Sequence, residues 1–326
     1  MNDLSSTDRV FPTPESSPTD GRVVWSPAKS LWYSSMLLAG VAGIIIYPSL
    51  EAALLTFVLM LLTLCLGHSV GIHRLLIHRA FEAPRWLEYT LVYLGTLVGM
   101  AGPIGMFRIH EIRDWQQQQP DCHSFAKHDV GFWQDALWQM HCEQLLNNPP
   151  KLIIEDRVAH DRFYQWLERT WRWQQLPLAV ILYAIGGIGF VLWGIGLRIA
   201  VSLTGHWCTV HFAHTVGDRP FVQNNIAIDG RNLPILGIFT FGEAFHNNHH
   251  AFPRSARMGL TASQLDPGWW VIQGFAALGL AKDVRVPQLE MISEAHTTHE
   301  DFASDRLKPR YQVWQDKVRN NQAFPL

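Results

Sequence analysis

Residues 52–79 read AALLTFVLMLLTLCLGHSVGIHRLLIHR and join an apolar block to a pair of histidines. The block from Ala52 to Gly67 contains no Asp, Glu, Lys or Arg. Its length approaches the roughly 20 apolar residues that a transmembrane helix needs. His73 and His78 follow directly. The stretch therefore predicts a membrane-spanning helix that brings two histidines to one face of the membrane.

The composition agrees with a membrane protein. Charged residues make up 17% of the 326 residues and hydrophobic residues 48%, whereas about a quarter of a soluble protein is charged. Between Leu31 and Leu66 the only charged residue is Glu51, and between Leu176 and Thr209 it is Arg198. The net charge of −2 comes without any basic run, so we expect the lipid bilayer, and no nucleic acid, as a partner.

Three further apolar blocks complete a prediction of four transmembrane helices in two hairpins. The block Leu31–Tyr47 is followed by Pro48, which disfavours a continuing helix. It forms the first hairpin with the block Ala52–Gly67. Leu176–Trp193 and Leu197–Phe212 form the second hairpin, with a predicted turn at Gly194–Gly196. The sequence thus favours an all-α, multi-pass integral membrane protein.

The remaining apolar block, Trp86–Phe107, contains four glycines and one proline. A single crossing there would separate His78 from His110, so we predict that it forms an interfacial or re-entrant segment. Most lysines and arginines lie in Arg108–Gln175 and from Asp218 onward. The positive-inside rule assigns both segments to the cytoplasm, where they would form a helical cap carrying the histidines.

The predicted domain limits follow from composition. Residues 1–25 are rich in Ser, Thr, Pro and Asp and are expected to form a disordered cytoplasmic tail. Residues 26–290 form the membrane domain, and 291–326 form a cytoplasmic extension. The four cysteines include no CxxC pair, which argues against a disulfide framework or a zinc ribbon.

Sixteen histidines are many for this length, and several are grouped. The groups are HRLLIH at 73–78, HEIRD at 110–114 and HNNHH at 246–250, with a single His214 at the end of the last apolar block. Imidazole is a good ligand for iron, copper and zinc. The i, i+3, i+4 spacing of HNNHH places its histidines on one helical face. A separation of five residues does not, so HRLLIH requires a helix end or a π-bulge.

Isolated histidines support a simpler interpretation. His68, His160, His206 and His211 are each more typical of packed or hydrogen-bonded side chains than of metal ligands. The pair His296 and His299 lies in a polar stretch and is expected to be solvated.

Four stretches resemble membrane-bound fatty acid desaturases of the acyl-CoA Δ9 type. They are GIHRLLIHR at 71–79, AHTVGDRPF at 213–221, GEAFHNNHHAFP at 242–253 and DPGWWVI at 266–272. The resemblance implies four transmembrane helices, a cytosolic cap and two irons held by histidines. It also implies that O₂ and two electrons are used to form a cis double bond in a fatty-acyl substrate. No iron–sulfur or haem-binding pattern follows Pro253, so a separate electron-donor protein is expected.

By position, the resemblance implies a set of seven histidine ligands, two fewer than the family has: His73, His78, His110, His214, His246, His249 and His250. Arg113 and Asp114 stand where the family has its other two histidines. We predict that Asp114 replaces one as an oxygen ligand and pairs with Arg113. Val210 stands where many relatives have an asparagine that holds a metal-bound water.

Other candidates and functions remain open at this point. His123, His128, His141 and Glu143 could also replace a lost ligand. Acyl-chain hydroxylation begins with the same hydrogen abstraction as desaturation. A lipid-binding or regulatory membrane protein that has lost a metal is favoured by Arg113. A hydrolytic zinc site would need a histidine at position 114 and is discounted. The sequence does not distinguish CoA, acyl carrier protein and phospholipid as the acyl carrier.

Overall fold

The computed structural model describes residues 9–223, 225–288 and 291–292. Its N-terminal part is ordered rather than a disordered tail. Four short strands, β1 to β4, form two antiparallel pairs, β1 with β4 and β2 with β3; they are Val10–Phe11, Gly21–Trp25, Cys142–Leu146 and Lys151–Leu152. Arg9 anchors this region through ion pairs of 2.6 Å to Glu111 and 2.8 Å to Glu155. The predicted disorder is therefore wrong for residues 9–25, because composition does not reveal strand partners over 100 residues away.

The first hairpin is present. Helix α1 spans Pro27–Ile46, and α2 spans Leu50–Met60 and continues as a π-helical segment, Leu61–Ile77. The Ser49 side chain accepts a hydrogen bond from the backbone N–H of Ala52 and so caps α2. Pro27–Ile46 and Leu50–Ile77 are both long and apolar enough to cross a membrane.

The block Trp86–Phe107 is bent. Helix α3 (Arg85–Thr96) and helix α4 (Pro103–Gln117) are separated by a non-helical connection. Glu168 accepts hydrogen bonds of 2.9 Å from the backbone N–H groups of Ile104 and Gly105. A carboxylate there satisfies free donors at the start of α4 and complements its helix dipole.

The polar segment after α4 contains four short helices besides β3 and β4. Its four helices are α5 (Ser124–Lys127), α6 (Phe132–His141), α7 (Asp156–Ala159) and α8 (Arg162–Thr170). The Asp161 side chain caps α8 by accepting from the backbone N–H groups of Phe163 and Tyr164. The buried Tyr164 ring then packs with Phe107 of α4, which ties this helical region to the end of the bent block.

The second apolar region differs from the prediction. Helix α9 (Gln175–Val191), a π-helical segment (Leu192–Leu197) and helix α10 (Arg198–Thr215) follow one another. The whole range, Gln175–Thr215, is the third candidate span among the described residues. Gly186 and Gly187 have non-helical backbone angles, with φ of +67° at Gly187.

The chain turns at these two glycines and not at Gly194–Gly196. Leu182 and Ile195 pack in one apolar cluster, although residues 13 apart in a straight helix would be about 20 Å apart. A Cβ atom on Gly196 would lie 2.7 Å from that of Ala39. The turn predicted at Gly194–Gly196 is therefore wrong, because Gly196 lies within a helical segment and allows α1 to approach closely.

A buried arginine connects the bent block to the second apolar region. Arg198 has no exposed surface, and it donates to the backbone oxygens of Leu97 and Gly194 and to the side-chain oxygen of Gln175, at 2.6 to 2.7 Å. Because its donors are satisfied without a carboxylate, Arg198 serves here as a structural link at the end of α3.

The C-terminal part contains a 3₁₀ turn (Pro234–Leu236), helix α11 (His246–Ala251) and helix α12 (Pro267–Ala277). Arg74 of the π-helical segment is fully buried and donates to both carboxylate oxygens of Asp266, at 2.9 and 3.2 Å. The same carboxylate caps α12 through the N–H of Trp269. This connection holds the region around α11 against the first histidine pair.

Candidate metal centre

The first histidine pair lies at the end of a π-helical segment. The backbone N–H of His78 donates to the carbonyl of His73 at 3.0 Å. This i to i+5 bond defines a π-helix and stacks residues five apart. The two Nε2 atoms are 3.1 Å apart. Of the two geometries predicted for the five-residue spacing, a helix end or a π-bulge, the structure has the π-helical one.

Two other elements complete a group around this pair. His110 of α4 places its Nε2 atom 3.1 Å from that of His73 and 3.2 Å from that of His78. The His249 ring centroid lies 4.7 Å from that of His73 and 4.6 Å from that of His78. We call His73, His78, His110 and His249 the first histidine group; their nearest ring nitrogens all lie within 4.8 Å of one another.

His214, His246 and His250 form a second histidine group with the same mutual spacing. The Nε2 atoms of His214 and His246 are 3.2 Å apart. Helix α11 lies between the two groups, since it gives His246 and His250 to the second and His249 to the first. The helix expected for HNNHH is present, but its histidines divide between two groups.

The chemistry of both groups fits metal ions. The Nε2 atoms of His73, His78 and His110 face one another at 3.1 to 3.2 Å. Because each neutral ring carries only one N–H, hydrogen bonds among the rings cannot satisfy all of these nitrogens. Among the described residues, Nδ1 of His249 and Nε2 of His250 are buried without a hydrogen-bond partner. Burial lowers the pKa values of His246 and His249 well below the ordinary histidine value, and that of His250 to about 4. These imidazoles are therefore neutral near pH 7, as metal ligands must be.

Neighbouring groups orient the rings. Nδ1 of His214 donates to the carbonyl of Val210 at 2.8 Å, which leaves Nε2 with a lone pair directed at His246. Nδ1 of His73 lies 2.6 Å from a carboxylate oxygen of Glu243. Carboxylates and carbonyls behind histidine ligands commonly set the tautomer and the ring orientation.

Asp114 occupies such a position behind His110. Its Oδ2 atom lies 3.5 Å from Nδ1 of His110, and its Oδ1 atom accepts from Arg113 at 3.1 Å. Burial alone would raise the pKa of Asp114, but the guanidinium of Arg113 and the rings of His250 and His249 bring it below its ordinary value. The predicted Arg113–Asp114 pair is confirmed. Asp114 lies outside both groups of converging atoms, so this geometry does not favour its predicted role as a ligand.

Of the other replacement candidates, only His128 lies near a group. Its ring stacks on that of His214 at 5.4 Å with an angle of 15°. Nδ1 of His128 lies 3.1 Å from Asp135, which also contacts His211 at 2.7 Å. His123, His141 and Glu143 instead make hydrogen bonds elsewhere, with Phe125, Ser30 and Ser26 respectively.

The His128–Asp135–His211 cluster was not predicted from the sequence. Asp135 and His211 are 76 residues apart, and neither belongs to a recognisable motif. The interpretation of His211 as a hydrogen-bonded histidine is nevertheless confirmed.

Comparison with known proteins supports the same assignment as the geometry. Residues 48–285 match the fatty acid desaturase family. The sn-1 stearoyl-lipid 9-desaturase of Synechocystis sp. is 33% identical over 83% of this chain and 84% of its own length. The Delta-9 acyl-lipid desaturase 2 of Arabidopsis thaliana is 35% identical over 68% and 71%, and the sn-2 palmitoyl-lipid 9-desaturase of Nostoc sp. is 34% identical over 67% and 76%. The chain therefore belongs to the fatty acid desaturase family and is a membrane-associated, desaturase-like oxidoreductase of lipid metabolism.

Proposed function

We propose that this protein is an O₂-dependent desaturase that introduces a cis double bond into the acyl chain of a membrane lipid. The observation that carries the proposal is the convergence of seven histidines into two adjacent groups. Relatives that are named for their action on stearoyl- or palmitoyl-lipids support an acyl lipid as substrate.

Two irons would be held by the first and second histidine groups. When bound, they would supply the redox chemistry that removes hydrogen from an unactivated methylene. The overall reaction takes two hydrogens from neighbouring carbons and reduces O₂ to two waters. It requires two electrons and two protons, and we propose that a separate donor protein delivers the electrons.

The protein's own residues bind and orient. Val210, Glu243 and Asp114 face the Nδ1 atoms of His214, His73 and His110, so each Nε2 atom is available for a metal. These contacts to the Nδ1 atoms support a preformed site, in which the imidazole rings need to move little when a metal binds.

The proposed topology has four spans, with the termini and both histidine groups on the cytoplasmic side. The break at Gly186 and Gly187 supports two crossings within Gln175–Thr215. The concentration of lysine and arginine in the polar segments supports the cytoplasmic assignment.

A second candidate function has a specific observation in its favour. Asp114 pairs with Arg113 and lies outside both groups, and the second group has three histidines against four in the first. A desaturase-like protein that binds lipid or regulates another protein, and that holds one metal or none, would have such a reduced set of ligands. Acyl-chain hydroxylation is the alternative outcome of an active centre.

Iron content and lipid products together test the proposal. We expect about two irons per purified wild-type chain, and new double bonds in the lipids of cells that supply O₂ and an electron donor. His249→Ala should remove the iron of the first group and His250→Ala that of the second, each leaving about one iron, while the exposed control His160→Ala keeps both. Hydroxylated acyl chains would indicate the alternative reaction. At most one iron and no new product in wild type would favour the regulatory candidate.

A further inference from the structure

A cavity lies beside the two histidine groups and is lined by His73 and His110 of the first and His246 of the second. Its lining also includes Ile72 and Met106, which are 1% and 5% exposed. Buried apolar side chains of this kind suit a hydrocarbon chain. The proposed reaction needs a methylene next to the histidine groups, so this cavity is where the acyl chain would lie.

The cavity opens between helices α4 and α10. On α4, the lining residue Ile109 is 53% exposed. On α10, the lining residues His206, Thr209 and Val210 are partly exposed. The lining residues on the π-helical segment Leu61–Ile77 are all buried, so that side of the cavity is closed. We call the opening between Ile109 and Thr209 the cavity mouth.

The cavity mouth lies level with the first turn of α1. The Tyr33 hydroxyl of α1 shares a hydrogen bond of 2.8 Å with the hydroxyl of Thr204 on α10. A Cβ atom on Gly40 would lie 2.7 Å from Cα of Leu197, so the two helical regions run antiparallel. Thr209 comes five residues after Thr204, about 8 Å farther along the axis and toward the start of α1. Since α1 is a candidate membrane span, the mouth lies within reach of bilayer lipid.

The surface of α10 beside the mouth is uncharged. Val201, Gly205 and Thr209 follow at i, i+4 and i+8 and therefore share one face of the helix. Val201 is 42% exposed, and a Cβ atom on Gly205 would meet nothing within 4 Å. The Thr209 hydroxyl donates to the carbonyl of Gly205 at 2.8 Å. A face without charges or unpaired donors is compatible with hydrocarbon, and it leads directly to the mouth.

We propose that the acyl chain of a bilayer lipid enters this cavity sideways, through the mouth between Ile109 and Thr209, while its headgroup stays at the membrane surface. The inference rests on the proposed function, because it names the source of the substrate for the same site. A chain carried by CoA or acyl carrier protein would instead arrive from water, where a large charged carrier remains solvated. The lateral route therefore favours an intact membrane lipid as the substrate.

Photocrosslinking with a phosphatidylcholine that carries a diazirine in the middle of an acyl chain tests this. The full-length protein in nanodiscs is irradiated with and without bound iron, and mass spectrometry of its peptides locates the label. We expect labelling of Ile72 and Met106 within the cavity. Because labelling requires no turnover, lipid uptake without any new double bond would contradict the proposed function and still support the lateral route.

Ile109→Trp and Thr209→Trp narrow the mouth, and each should lower labelling within the cavity about tenfold, as overfilling a tight passage does. Val201→Trp, exposed on the same helix but outside the lining, should label like wild type.

A second measurement uses a bimane fluorophore on Gly205→Cys, in a background without the four native cysteines. Position 205 has open space for a side chain, so the variant should fold. We expect brominated lipid to quench the bimane more than aqueous iodide does. The proposal is overturned if cavity labelling is absent in wild type, if it is unchanged in both tryptophan variants, or if iodide quenches the bimane and brominated lipid does not.

Discussion

Asp114 lies one helical turn after His110, where its carboxylate can act in two ways. A ligand would contribute an oxygen to the metal itself. A positioning residue would accept from Nδ1 of His110, and the 3.5 Å approach to that atom, together with the hydrogen bonds from Arg113, favours this second role.

The two roles predict different effects of substituting Asp114. If Asp114 positions His110, Asp114→Ala should weaken iron binding by the first group about 10- to 100-fold. Asp114→Asn should lose much less, because the amide oxygen can still face Nδ1 of His110. Competition with a chelator measures the affinity, and Asp121→Ala, at an exposed carboxylate, is the control. Equal losses of iron in Asp114→Ala and Asp114→Asn would instead support direct ligation.

At the scale of elements, the π-helical segment Leu61–Ile77 brings His73 and His78 together and packs closely on α3. A Cβ atom on Gly71 would lie 2.7 Å from the Cβ and 2.8 Å from the carbonyl carbon of Leu91. Real Cβ atoms do not approach a backbone this closely, so the glycine is required for packing.

Gly71→Ala should therefore separate α3 from the π-helical segment. We expect destabilisation by about 1–3 kcal/mol and loss of iron from the first group, since His73 is two residues away. Thermal unfolding in detergent and iron analysis measure the two effects. Gly205→Ala, where a Cβ atom meets nothing within 4 Å, is the matched control. A Gly71→Ala protein with wild-type stability and iron content would contradict this packing argument.

Asp135 connects α6 to α10 and is completely buried. It accepts from Nε1 of Trp207 at 2.8 Å and contacts Nδ1 of His211 at 2.7 Å. Burial alone would raise its pKa, but hydrogen bonds from His128, Trp207 and His211 and the charge of His128 lower the pKa of Asp135 to about 2.

Asp135→Asn should lower the free energy of unfolding by about 1–3 kcal/mol near pH 7, because a buried charge-assisted network is disrupted. A carboxyl with a lowered folded-state pKa stabilises the fold fully above its unfolded pKa of about 3.9. The advantage of wild type over Asp135→Asn should therefore disappear as the pH falls toward about 2. Denaturation at a series of pH values measures this, with the more exposed Asp129→Asn as control. A difference that stays constant down to that pH would contradict the ionised state of Asp135.

At the scale of the whole molecule, the packing of the apolar helices decides where the chain turns. The first hairpin turns after Ile46, and the second region turns at Gly186 and Gly187. The contact between Gly196 and Ala39 instead places Gly196 within the helix bundle.

Single cysteines in a background without the four native ones test the topology. An impermeant thiol reagent applied outside the cell should label Ser49→Cys and Gly187→Cys. It should not label Gly196→Cys, or Gln118→Cys at the end of α4. External labelling of Gln118→Cys would contradict a cytoplasmic metal centre, and labelling of Gly196→Cys would restore the turn predicted from sequence.

Much of this architecture could be predicted from the sequence, because the responsible forces act locally. Uncharged apolar runs specify membrane helices, since hydrocarbon excludes charge and unsatisfied backbone groups. The five-residue spacing of His73 and His78 predicted a helix end or a π-bulge if both were to face one metal, and the structure has the backbone bond of the second. The resemblance of the histidine motifs to the desaturases identified the family, which the comparisons confirm.

Only the tertiary structure decided how these parts combine. Spacing places the histidines of HNNHH on a helix, but the approach of other helices assigns His249 to one group and His246 and His250 to the other. A glycine permits either a turn or close helix packing, and only the neighbours of Gly187 and Gly196 distinguish the two. The strand partners of residues 10–25 and the His128–Asp135–His211 cluster likewise depend on contacts between distant segments. Contacts of that kind depend on the packing of the whole chain and leave no periodic pattern in the sequence.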